Sequence, residues 1–210
     1  RTVIYEQQLD NGARSTISMR EGLNSSPAYS PDGRYIALTL SRGHAVNIFI
    51  MDRQTKQLRQ LTDSDFVDTE AAWSPDGRYI AFTSDRNGGP FVYRVLVSGG
   101  RPTLVSPHKG SSVHPVYTPD GRYLEFANWH DHAFHICRLD LKTMELRTQT
   151  PGRSDQAPSV SPDGKHLLWV GGSMEERTLH DIRMDMSPSP VWTGPSHVQE
   201  AAWSGCVFPK

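Results

Sequence analysis

Short apolar runs follow one another along the chain, cut off at regular places by clusters of Pro, Asp, Gly, Ser and Asn. Within a run the side chains alternate. Tyr35, Ala37 and Thr39 share one parity, and Ile36, Leu38 and Leu40 share the other. A period of two marks a β-strand, whose successive side chains point to opposite faces. The pattern predicts an all-β chain of short strands joined by tight turns.

The pattern also recurs at long range. Ser-Pro-Ala-Tyr-Ser-Pro-Asp-Gly-Arg-Tyr-Ile-Ala-Leu at 26–38 returns as Glu-Ala-Ala-Trp-Ser-Pro-Asp-Gly-Arg-Tyr-Ile-Ala-Phe at 70–82. Further copies occupy 114–126 and 157–169, and a broken one begins at Glu200. The turn aspartates Asp32, Asp76, Asp120 and Asp163 are spaced 44, 44 and 43 residues apart. Proline presets φ for the turn, aspartate supplies a side-chain acceptor and glycine tolerates positive φ. We name the strand before this turn A and the one after it B. Strand C is expected at 47–51, 92–96, 135–139 and 180–184, and strand D at 57–62, 101–105, 145–148 and 190–193.

Four antiparallel strands in about 44 residues match one blade of a β-propeller. A β-sandwich is the alternative, but its turns are not locked to one interval. The expected division is a single propeller domain with a partial blade at 1–19 and blades at 20–62, 63–106, 107–150 and 151–195. A closing strand is expected at 196–210. Residues 3–5 and 15–17 read as strands C and D around Asn11-Gly12, and 201–203 as a final strand A. A ring closed at five blades and an arc of a six-bladed ring both fit.

Composition narrows the function classes. The 210 residues carry a net charge of −1 with both signs interspersed, unlike the one-sided basic field that holds a phosphate backbone. Nucleic acid is therefore not expected as a partner. No stretch reaches the ~18 apolar residues of a membrane-spanning helix, so membrane insertion is not expected either. The chain opens at Arg1 and shows no signal peptide. Cys137 and Cys206 have no metal-ligand spacing and make no dense disulfide framework, which leaves a single disulfide between them open.

Catalytic patterns are missing from the sequence. Gly171-Gly172-Ser173-Met174-Glu175 lacks the last glycine of a nucleophile elbow and sits between two expected strands. No phosphate loop or dinucleotide glycine pattern follows a strand. No catalytic residue and no cofactor are expected. Histidines are the unusual group: His44, His108, His114, His130, His132, His135, His180 and His197 fall on or beside the B–C and D–A loops, and His166 inside strand B. The segment 129–135, Trp-His-Asp-His-Ala-Phe-His, reads either as a metal or pH-sensitive site or as ordinary polar loop. No metal ligand is assigned.

The order of motifs resembles the propeller of the TolB family, periplasmic components of the Tol–Pal envelope system. The matching segments are 47–52, 58–63, 69–77, 81–86 and the closing 198–204. The resemblance implies a non-enzymatic interaction module in the periplasm. Its partner would be a lipoprotein like Pal, received by the loops that enter the A strands. Carried over by position, the contact candidates are Leu23, Asn24, Ser25, Ser26, Asp68, Thr69, Glu70, His114 and Gln156. Similar blades gate prolyl-oligopeptidase-like hydrolases, which is the competing reading. A histidine-dependent metal binder is a third.

Overall fold

A computed structural model describes residues 2–150, 152, 154–173, 176–185, 192–196, 198 and 202, with 192–196 described by their backbone alone. Every element among them is a β-strand. The order begins with β1 (Ile4–Gln7) and β2 (Arg14–Ser18), an antiparallel pair. Blade 1 follows as β3 (Asn24–Tyr29), β4 (Tyr35–Arg42), β5 (Ala45–Asp52) and β6 (Leu58–Gln60). Blade 2 is β7 (Asp68–Trp73), β8 (Tyr79–Ser84), β9 (Phe91–Leu96) and β10 (Thr103–Leu104). Blade 3 is β11 (Ser112–Tyr117), β12 (Tyr123–His130), β13 (Ala133–Asp140) and β14 (Leu146–Thr148). Blade 4 is β15 (Gln156–Val160), β16 (His166–Gly172), β17 (Arg177–Arg183) and β18 (Trp192–Ser196). Each blade is a four-stranded antiparallel sheet paired in chain order, the A–B–C–D meander of a β-propeller. The expected closing strand at 201–203, with His197 and Cys206, lies outside the described residues apart from Ala202.

The A–B turn is built the same way four times. In blade 1, Ser30 Oγ donates to Asp32 Oδ1 at 2.5 Å, and the same oxygen accepts the Arg34 amide at 3.0 Å. Ser30 Oγ in turn accepts the Tyr35 amide at 2.8 Å. Ser74–Asp76, Thr118–Asp120 and Ser161–Asp163 repeat the arrangement. Gly33 closes the turn at φ 68°, a left-handed conformation that costs glycine nothing. The serine hydroxyls hold the Asp32, Asp76 and Asp163 carboxyls below the usual aspartate range.

The chain forms two compact units, Arg1–Val105 and Ser106–Lys210. In the first, Ala37, Ile48 and Ile50 of blade 1 pack against Ile80, Phe82, Tyr93 and Val95 of blade 2. Ile4 and Ile17 of the β1–β2 pair cover Ile36, Leu38 and Met51 on the other face of blade 1. Trp73 Nε1 ties the two A strands together by donating to Ala28 O at 3.0 Å. In the second unit, Ala127 and Ile136 of blade 3 pack against Leu167 and Trp169 of blade 4.

This packing alters the reading of the alternation. Strand β4 is buried on both parities from Ile36 to Leu40, with Thr39 as inaccessible as Ala37. A sheet covered on both faces needs no polar side, so the alternation there sorts residues by size. The D strands of blades 1 to 3 are shorter than expected, β10 keeping only Thr103 and Leu104, while that of blade 4 is shifted to Trp192–Ser196. His180, expected beside the loops, is instead well inside β17, its ring stacked on Trp169 at 5.2 Å.

Candidate functional site

At the end opposite the A–B turns, the D–A and B–C loops of each blade come together beside the start of strand A. Each A strand is broken there by a β-bulge. The register slips between Ser25 and Ala28, Thr69 and Ala72, Val113 and Val116, and Gln156 and Ser159. One residue in each bulge is left-handed: Ser26 at φ 48°, Glu70 at 58°, His114 at 55° and Ala157 at 51°. None is glycine, and such a conformation costs about 1–3 kcal/mol unless the surroundings enforce it. A bulge re-aims the side chains on either side of it.

A buried polar residue lies two positions before the left-handed residue in each blade. These residues are Asn24, Asp68, Ser112 and Asp155, and all four are inaccessible. Asn24 accepts Ser18 Oγ at 2.6 Å and the Arg20 amide at 3.1 Å, and donates to the carbonyls of Thr2, Arg20 and Gly22. One amide group thereby folds the whole D–A loop of blade 1. In blade 2 the same station is Asp68, which receives Arg86 Nη2 at 2.9 and 3.0 Å and Ser64 Oγ at 3.1 Å. The Arg86 guanidinium lies over the Tyr93 ring at 4.8 Å, and its Nε donates to Ser84 Oγ at 2.9 Å.

Of the nine residues expected at a contact surface, Asn24 and Asp68 are therefore buried fasteners. The remaining candidates are arranged around them. Leu23 is exposed, its amide donating to Ser41 Oγ at 2.7 Å. Ser25 and Ser26 are half-buried at the first bulge. Thr69 receives Thr39 Oγ1 of the neighbouring blade at 3.4 Å, and Glu70 receives Thr83 Oγ1 at 2.7 Å. Both are half-buried, so part of each side chain stays open to solvent. The first unit thus brings together Leu23, Ser25, Ser26, Thr69 and Glu70 on two adjacent D–A loops. His114 and Gln156 hold the corresponding places in blades 3 and 4, also half-buried.

Phe66 and Val67 were not among the candidates, yet both are exposed on the blade 2 loop at 45% and 44%. Phe66 stands where blades 1 and 3 have Gly22 and Gly110. A Cβ on Gly110 would fall 2.0 Å from Trp129 O, so that loop is pressed against its blade. Blade 2 has no such glycine, and its loop carries an aromatic outward. The aligned repeats hold this signal, since one blade departs from its neighbours at that position.

The histidine segment has its own geometry. Asp131 and His132 form a two-residue β12–β13 turn with both φ positive, the arrangement favoured by strand twist. His130 and His135 rings lie 4.4 Å apart. His130 engages Asn128 Oδ1 and Thr148 Oγ1, and His135 Nδ1 engages Thr150 O. A cavity of about 530 Å³ beside them is lined by Lys109, Trp129, His130 and His132. Among the described residues no three His, Cys, Asp or Glu side chains converge as metal ligands. Cys137 is a buried free thiol whose pKa burial pushes up to about 11.

Residues 1–207 match the family model described as the TolB beta propeller domain. The Tol-Pal system protein TolB of Francisella tularensis subsp. mediasiatica is 35% identical over 173 residues, which is 80% of this chain and 40% of that protein. Its counterpart in F. tularensis subsp. tularensis is equally identical over 39% of its length. The crystal structure of TolB from Acinetobacter baumannii superposes with a TM-score of 0.80 at 29% identity, covering 87% of this chain and 46% of that one. The chain thus spans about 40% of the length of the curated relatives it matches. By its family match and its blades alike, the chain belongs to the TolB β-propeller family.

Proposed function

We propose that this chain is a non-enzymatic interaction propeller of the Tol–Pal system, working in the periplasm. It binds a Pal-like lipoprotein through the loop end of its blades and so serves envelope maintenance. The observation that carries the reading is the set of non-glycine left-handed bulges, each preceded by a buried polar residue and each bearing a different side chain. Backbone strain held in place at the same station of every blade suits preorganised recognition. The names of the relatives supply the partner system.

In this reading Leu23, Ser25, Ser26, Thr69 and Glu70 touch the partner, with Phe66 and Val67 as apolar anchors beside them. His114 and Gln156 serve in the same role in their own blades. Asn24 and Asp68 act through the loops they hold. The chemistry is charge and hydrogen bonding around a small apolar centre, as at other recognition surfaces. A pull-down of purified Pal by the immobilised chain tests it. Retention of Pal that Thr69→Arg abolishes is the expected result. Retention that Thr69→Arg leaves intact removes the surface assignment.

A further inference from the structure

The blade repeat exposes one unusual seam. In blade 1 the face turned toward blade 2 includes Ala37, Ile50 and Leu61, all buried in one apolar cluster. The same three stations in blade 3 are Glu125, Arg138 and Gln149. Glu125 pairs with Arg138 across β12 and β13 as Ala37 pairs with Ile50 across β4 and β5. The Gln149 amide donates to Ile136 O as the Leu61 amide donates to Ile48 O. Glu125 and Arg138 share the face of Ala127 and Ile136, which pack on Leu167 and Trp169 of blade 4. Arg94 of blade 2 and Asp181 of blade 4 are also charged at the Arg138 station, but Glu125 alone puts a carboxyl where the other blades have Ala37, Ala81 and Leu168, an exchange that at best breaks even for stability.

The pair is also incompletely satisfied. Arg138 Nε donates to Glu125 Oε1 at 2.5 Å, while Glu125 Oε2 and Arg138 Nη2 are buried with no partner among the described residues. A cavity of about 250 Å³ opens beside them, its wall carrying Arg122, Arg138, Arg147, Asp140, Glu145 and Gln149. At ~30 Å³ per water it holds about eight waters, the room of a small organic molecule. Tyr123 is a plate for two of the arginines, with Arg122 at 4.8 Å and Arg138 at 5.1 Å from its ring. Arg122 pairs with Asp140 and Arg147 with Glu145, each at 2.9 Å. Three guanidiniums and two carboxylates line the wall, and Glu125 stands buried behind Arg138 as a third carboxyl group. Burial raises the Glu125 carboxyl to about 7, so near neutrality the carboxylate behind Arg138 is partly discharged.

We propose that this cavity, at the turn end of blade 3, is a binding site for a small monoanionic carboxylate held by Arg138, Arg122 and Arg147. Guanidinium and carboxylate match as planar, two-pronged partners. The Gln149 amide adds a neutral donor, and a cluster this close to charge balance suits a monoanion over a phosphate dianion. The site lies at the opposite end of the blade from the loops and is independent of the function proposed above.

Acetate is the probe, titrated into the full chain while the arginine Nε–H and glutamine side-chain amide resonances are followed by NMR. Saturable shifts with a Kd of about 1–10 mM are expected, a few kcal/mol being typical for so small a ligand. Phosphate at matched ionic strength should bind more weakly. Arg138→Gln should weaken acetate binding tenfold or more. The triple variant E125A/R138I/Q149L, which writes the residues of blade 1 into blade 3, should melt no lower than the parent and show no saturable shift. Linear, unsaturable shifts in the parent chain up to about 100 mM acetate would overturn the proposal, since a 1 mM site is then saturated. Undiminished binding by Arg138→Gln, or tighter binding of phosphate, would overturn it as well.

Discussion

At the turn end of the blades, Ser30, Ser74, Thr118 and Ser161 each donate to the aspartate two residues on, at 2.5, 2.5, 2.5 and 2.6 Å. At the loop end, the four left-handed residues at matching places are Ser26, Glu70, His114 and Ala157. Both ends are built from repeated backbone geometry, but only the turn end repeats its side chains. A turn that must form locally needs the same donor and acceptor each time. A bulge enforced by tertiary contacts accepts any side chain, so the loop end is free to vary. Blade 3 breaks the rule at the turn end too, where Glu125 replaces the Ala37, Ala81 and Leu168 of the other blades.

The largest effect should come from the fasteners of the loop end. Arg86→Ala leaves the fully buried Asp68 carboxylate without its cation, which should cost about 3–5 kcal/mol in urea unfolding. A loss under about 1 kcal/mol would mean that Asp68 does not organise its loop. Glu125 gives the next effect, and it depends on pH. Its folded pKa of about 7 lies above the ordinary 4.5, so the folded state holds the proton more tightly. The stability this provides is complete below pH 4.5 and is lost as pH rises through about 7, amounting to about 3 kcal/mol. Glu125→Gln should therefore match the parent near pH 5 and exceed it near pH 8. Identical pH profiles for the two proteins would contradict the raised pKa.

Smaller effects separate the two ends further. Ser74→Ala removes one turn-end hydrogen bond pair and should cost about 1 kcal/mol while leaving partner binding unchanged. Ser26→Gly relieves a left-handed residue at the loop end and should raise stability by about 1 kcal/mol at most. If that variant is destabilised instead, Ser26 is held by its side chain and not by the bulge.

Much of the blade architecture was legible because the turn is local chemistry. Ser-Pro-Asp-Gly states its own geometry, and its spacing states the blade. The bulges were not legible, since Ser26, Glu70, His114 and Ala157 share no side-chain property that favours positive φ. The burial of Asn24 and Asp68 was hidden for a related reason. A polar residue in a loop reads as exposed until its partners, Ser18 and Thr2 for one and Arg86 for the other, are seen folded over it. His180 misled in the same way, because its place in β17 depends on a strand that starts at Arg177. Leu23, Thr69 and Glu70 could be picked out by resemblance, and Phe66 already reads as exposed within the acidic loop 63–70, but Val67 could not be told apart there.

Calorimetry of Pal binding to two variants in the same unit tests the division between the ends most directly. Glu70→Lys changes a left-handed residue at the loop end, and Gln57→Lys changes an exposed residue at the turn end of blade 1. The account predicts that Glu70→Lys weakens binding about tenfold or more, equivalent to ~1.4 kcal/mol, while Gln57→Lys binds as the parent does. Equal affinities for all three proteins, or a loss confined to Gln57→Lys, would contradict it.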